Sequence, residues 1–137
     1  MGYYTELIFG ASFKEDVPEI IIAIIKAMIE GKAKDIKEVP NHPFFAIEGW
    51  EYLMTCSSFD FGVNKAVAMI WFDDIDKVYH VSTRSNVADY FGEIEAFLDW
   101  IKPFLRSGSG EREIYAIVIE EGLSYPRIYT LKEQSQI

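Results

Sequence analysis

The stretch Lys65–Ser85, "KAVAMIWFDDIDKVYHVSTRS", reads as two strands joined by a tight turn. Ala66–Phe72 is an unbroken apolar run of strand length. Such a run is expected of a central strand covered on both faces, or of one that meets another chain. The aspartates of "DDID" close the turn, because short acidic side chains hydrogen-bond their own backbone. "KVYHVSTR" returns as the hairpin partner. Downstream, "FGEIEAFLDWIKPFL" (Phe91–Leu105) carries Ile94, Phe97, Leu98, Ile101 and Leu105 at helical spacing, with Pro103 set to distort or end the last turn. "REIYAIVIEEGLSYPRIYTL" (Arg112–Leu131) then gives a strand, a turn at Gly122 and a last strand. Pro126 has no amide hydrogen to donate, which assigns that last strand to a sheet edge.

Upstream, Tyr3, Thr5, Leu7 and Phe9 alternate with Tyr4, Glu6 and Ile8, a period-two strand. Asp16, Pro18 and Glu19 form a helix-start signature with Asp16 as the cap, and Gly31 is the stop. Val17, Ile20, Ile21, Ile24 and Met28 make one stripe of this helix, and Ile22, Ile25 and Ile29 widen it. The apolar arc reaches roughly 200°, where a core-facing helix needs only somewhat more than about 100°. Ile22, Ile25 and Ile29 are therefore a candidate homodimer face, two-fold dimers being the commonest closed assembly. The alternative is that the segment 32–65 folds over them.

Residues 32–65 hold neither period, and mix turn residues (Pro40, Asn41, Pro43, Gly49, Gly62) with aromatics. Short helical turns are predicted around Phe44–Ile47 and Trp50–Thr55, within an ordered insertion that caps one edge of the core. The element order is strand, helix, insertion, strand, strand, helix, strand, strand. It gives an α+β two-layer sandwich, an antiparallel sheet of about five strands with two helices on one face, in ferredoxin-like order with an insertion after the first helix. One domain spans 1–137, with a frayed polar tail at 132–137.

Half the residues are hydrophobic and 15% aromatic, which excludes disorder for most of the length. The most hydrophobic window, around "VPEIIIAIIKAMIEG", is too short and too charged for a span, which needs about 20 apolar residues. "MGYYTELIFG" lacks a basic segment and starts as a strand, so no secretory signal is read. Glu6 stands where an N-myristoylation pattern wants Ser or Thr. The single cysteine, Cys56, rules out an internal disulfide and suits the cytoplasm. A net charge of −9 with 13 scattered basic residues argues against direct nucleic-acid binding. It fits solubility, or an acidic surface that meets a basic protein.

Familiar chemistry is missing. His42 lies in a loop and His80 in mid-strand, and with one cysteine they make no zinc set. Asp73, Asp74 and Asp76 are carboxylates of the kind that bind hard cations, but Tyr79 and Ser85 stand where an EF-hand counted from Asp74 needs Gly and Glu. "GSG" at Gly108–Gly110 lacks the strand-before, helix-after context of a phosphate loop. Glu120 and Glu121 are adjacent on a strand and point to opposite faces, so they do not cooperate as a carboxylate pair. No catalytic, cofactor-binding or metal-binding residue is assigned, and no cofactor is expected.

"STRSNVADYFGEIEAFLDWIKPFL" (Ser82–Leu105), "IEEGLSYPRIY" and the opening "MGYYTEL" resemble a group of small uncharacterised bacteriophage- and prophage-encoded proteins. The shared elements are the Met-Gly-Tyr-x-Thr start, Arg84–Asn86 before the helix, Trp100–Pro103 at its end, and Glu120–Glu121 with Pro126–Tyr129 in the last hairpin. They cover about half the chain; "VADYFGE" departs from the group's more polar linker, and 32–65 has no counterpart. The resemblance implies the cytoplasm of a host bacterium and an accessory role, with no catalytic residue.

The leading expectation is a non-enzymatic protein-binding accessory or inhibitory factor whose acidic surface meets a basic host or phage protein, with no membrane partner. Phe44, Phe45, Glu48, Trp50, Glu51 and Asp60 form the candidate partner surface, since aromatic anchors carry interface energy. The bland reading is that they fill a satellite core beneath the insertion. The alternative function is a small enzyme or ligand-binding domain with a pocket between the insertion and the sheet, around Trp71, Tyr79 and His80.

Overall fold

The computed structural model describes residues 4–57, 67–89, 91–108, 113–123 and 125–131. Asp60, the tail 132–137 and part of the "RSGSGER" loop lie outside the described residues. The strands are β1 (Thr5–Ser12), β2 (Val67–Asp73), β3 (Val78–Val87), β4 (Ile114–Glu120) and β5 (Arg127–Thr130); the helices are α1 (Glu19–Glu30) and α2 (Glu93–Ile101). Single 3-10 turns occupy Ala33–Asp35, Pro43–Ala46, Trp50–Tyr52 and Lys102–Phe104. The chain is α+β, with an open antiparallel sheet of order β2-β3-β1-β4-β5. Among the described residues no helix is long and apolar enough to cross a membrane.

Register follows from the apolar alternation of β1, which pairs Phe9 with Thr83 on one side and Ala116 on the other. Alternation then defines two faces. Leu7, Phe9, Tyr79, Val81, Ala116 and Val118 share one, here the Phe9 face. Ile8, Gly10, Ser12, His80, Met69, Trp71 and Asp73 share the other, the His80 face. Phe97 of α2 meets Phe9 edge-on at 5.2 Å, and Lys26 of α1 lies 5.0 Å over the Tyr79 ring.

α2 buries Ile94, Phe97, Leu98 and Ile101, with Leu105 beyond it, as its period predicts. Pro103 sits in the 3-10 turn that ends it. β5 is an edge strand, and Pro126 immediately precedes it. The start of α1 departs from expectation: Pro18, in extended conformation, takes the cap position, and among the described residues no side chain caps the helix, Asp16 included. Gly31 closes α1 at φ 74°, its N–H donating to the Ala27 and Met28 carbonyls.

Two further expectations need correcting. α1 buries Ile21, Ile22, Ile24, Ile25 and Met28, whereas Ile20 is 50% exposed. The stripe is thus rotated toward Ile22 and Ile25, which the chain itself covers. α1 is in contact with β2 and with the Ala33–Asp35 turn that follows it, and Ile22 and Ile25 are buried within one copy. Ile22 and Ile25 are not available as a dimer face, and Ile29 is half-buried. β2 is the other sheet edge, not a central strand. Its apolar run is exposed at Val67 (45%), Met69 (54%), Trp71 (43%) and Phe72 (44%).

Candidate functional site

The insertion's aromatics turn inward. Phe44 is fully buried, with the rings of Phe45, Trp50, Phe97 and Trp100 around it. Phe45 is half-buried against Trp50 and Trp100. His42 holds this turn: its Nδ1 accepts from the Phe44 amide at 3.1 Å, and its Nε2 lies 3.0 Å from Asp99 of α2. Glu48 is exposed and Glu51 half-buried. The aromatic half of the candidate partner surface is therefore core, because large rings gain more from burial beside Phe97 and Trp100 than from water.

A cleft of about 440 Å³ lies where the insertion meets the end of β3. Tyr52, Leu53 and Cys56 wall it on one side, and Asn86, Val87 and Glu93 on the other. Burial first, and the Glu93 charge second, push the Cys56 thiol up, so it stays protonated and is a poor nucleophile. Asn86 donates to the buried Glu6 carboxylate at 2.9 Å, and its own Oδ1 has no hydrogen-bond partner among the described residues.

Trp71, Tyr79 and His80 do not line that cleft. Tyr79 and His80 are consecutive on a strand and point to opposite faces, which separates them. Trp71 and His80 are direct cross-strand partners, with ring centroids 5.4 Å apart. Around His80 the register assembles a constellation that the sequence did not advertise. Ser12 pairs with His80 across β1 and β3, and its Oγ lies 2.7 Å from Nδ1. Asp73 Oδ2 lies 2.9 Å from Nε2 on the other side of the ring. Asp73 Oδ1 also accepts from the amides of Ile75 and Asp76, which closes the β2–β3 turn. The His80 hydrogen bond first, then those amides, hold the Asp73 carboxyl down at about 2. All three side chains are partly buried. The signal for Asp73 was its place just before a tight turn; Ser12 carried none, since its partner is 68 positions away.

The β2 edge is bordered by α1. A groove of about 360 Å³ is lined by Lys26, Ile29 and Glu30 of α1 and by Met69 and Ile70 of β2. At the end of β2 the turn presents Asp74, Asp76 and a 90% exposed Ile75. Among the described residues no group of three or more His, Cys, Asp or Glu is placed to hold a metal. No protein-family model, no curated protein and no solved structure matches the chain.

Proposed function

We propose that this is a protein-binding domain that captures an extended, basic segment of another protein along the β2 edge. The observation that carries the reading is an edge strand with four exposed large apolar side chains: Val67, Met69, Trp71 and Phe72. Edge strands offer unpaired backbone donors and acceptors, and most proteins blunt them with charge or proline. Val67–Phe72 contains neither. Addition of a strand there supplies main-chain hydrogen bonds, and the groove between Ile29 and Met69 takes alternate side chains. The overall charge of −9 favours a basic occupant, with Glu30 and Asp74 beside the strand outweighing Lys26 in the groove, while Asp76 is paired with Arg106. An accessory role in a phage-infected bacterial cytoplasm is compatible with such a partner and rests on the sequence resemblance alone.

The architecture we infer is a two-layer plait of ferredoxin-like order, with both helices on the Phe9 face, the insertion after α1, and β5 added beyond β4. The order β2-β3-β1-β4 supports it, as does the contact of α1 with Tyr79 and of α2 with Phe9, residues of the same face. In such a plait the His80 face stays open, and β2 borders both the open face and the α1 groove.

The test uses two fluorescent peptides of equal length, alternating Val with Lys and Val with Glu. The Val-Lys peptide binds, binding weakens as salt rises, and Val67→Lys with Met69→Lys abolishes it without unfolding the chain. Failure of the Val-Lys peptide on a protein that sediments as a monomer overturns the proposal. A wild-type dimer that Met69→Lys converts to monomer would overturn the basic partner in favour of a second copy.

A further inference from the structure

We infer that Ser12 is a histidine-activated nucleophile able to accept an acyl group from an ester, with His80 as its base and Asp73 as the group that orients the base. The three side chains have the geometry that such chemistry needs: nucleophile and base within hydrogen-bond reach, and the base held from behind by a third group. The distances are 2.7 Å from Ser12 Oγ to His80 Nδ1 and 2.9 Å from His80 Nε2 to Asp73 Oδ2. An ionised carboxylate only accepts, so the neutral ring carries its hydrogen on Nε2 and presents the Nδ1 lone pair to the Ser12 hydroxyl. That is the tautomer in which the hydroxyl proton can leave toward the ring. Asp73 is fixed independently of the histidine by the Ile75 and Asp76 amides, so the ring is oriented by a rigid turn rather than by a free side chain.

The strand beside the hydroxyl carries no side chain at Gly10. Gly10 precedes Ser12 by two residues on the same face and pairs with Ser82. A Cβ built on Gly10 would meet Val81 O at 3.7 Å as its nearest described neighbour. The missing side chain leaves a dent in the sheet face, and Trp71 and Met69, on the same face, rise from β2 to one side of it. Ser82, the exposed partner of Gly10, also borders this spot.

The step closes without a cofactor. Ser12 Oγ bonds to the ester carbonyl carbon as its proton passes to Nδ1, and Asp73 stabilises the imidazolium through Nε2–H. The bond from carbonyl carbon to alcohol oxygen breaks, and the departing oxygen takes the proton from Nδ1. Water then attacks the acyl-serine, Nδ1 removes its proton, and Ser12 Oγ leaves and regains a hydrogen. General-base assistance of this kind is worth roughly 10²- to 10⁴-fold.

The experiment incubates the folded protein with p-nitrophenyl acetate and with a fluorophosphonate probe, then locates the added mass by peptide mapping. The expected result is modification at Ser12, at least roughly 100-fold faster than in the urea-unfolded protein. Modification is lost in Ser12→Ala and falls to the unfolded rate in His80→Gln. Gly10→Val fills the dent and should slow acylation while leaving the three side chains in place. Wild-type protein that is unmodified at Ser12, or His80→Gln that reacts as fast as wild type, overturns the inference. Because the wild-type map decides by itself, a variant that fails to fold does not rescue it.

Discussion

Replacing Phe44 with alanine separates an insertion that is core from one that is a docking surface. Phe44 is fully buried, with four aromatic rings at centroid distances of 5.0 to 5.8 Å. Truncating a buried phenylalanine costs about 3–5 kcal/mol, transfer and cavity together. The cluster belongs at the upper end, since each well-placed aromatic pair adds about 0.5–1.5 kcal/mol beyond area. Set against a total stability of about 5–15 kcal/mol, the variant keeps from almost none to about two-thirds of its margin. Urea unfolding followed by tryptophan fluorescence measures it. With a slope near 2 kcal/mol/M, typical of small domains, the midpoint falls by about 2 M at unchanged slope. Tyr52→Ala, in the same insertion but 54% exposed, is the control and should move by no more than about 0.5 kcal/mol. A Phe44→Ala midpoint that coincides with the Tyr52→Ala midpoint would refute the claim that the insertion is part of the core.

Ile25→Lys should abolish cooperative unfolding, because it puts a charge at a fully buried site; a soluble, folded monomer would contradict the α1 packing described here. Gly31→Ala should cost about 1–2 kcal/mol in thermal unfolding, since a Cβ at φ 74° is strained although nothing crowds it. Asp73 titrates near 2, below the roughly 3.9 of an unfolded aspartate, so its contribution to the hairpin is full above that value and is lost as pH falls through about 2. Amide exchange of Ile75 and Asp76 should accelerate between roughly pH 4 and pH 2, and Asp73→Asn should erase that step.

The elements were largely legible, because local periodicity and punctuation are local physics. The α2 stripe and Pro126 placed their elements correctly, as did the Gly31 stop. What sequence could not place was environment. The run Val67–Phe72 signals apolar surroundings, and a central strand and an exposed edge awaiting a partner give the same letters. On α1 the wide apolar arc hid which part faced inward: Ile22 and Ile25 are buried and Ile20 is exposed. The insertion's composition suited both an anchor patch and a core, and only its contact with Phe97 and Trp100 decides between them. The Ser12–His80–Asp73 cluster was illegible for a different reason: Asp73 and His80 meet across the β2–β3 hairpin, but Ser12 reaches them only through the register between β1 and β3, which no linear spacing encodes.

β1 is the first strand in the chain and the central one in the sheet. Thr5 pairs with Val87 on one side and with Glu120 on the other. During synthesis β1 and α1 therefore emerge long before either flank exists, and β1 cannot be enclosed until β4 has left the ribosome. Non-local pairing of this kind makes folding slow, and the waiting apolar surface invites association. Sheet closure is thus timed by the C-terminal third of the chain, and a ribosome-stalled nascent chain ending before Ile114 should remain protease-sensitive throughout β1.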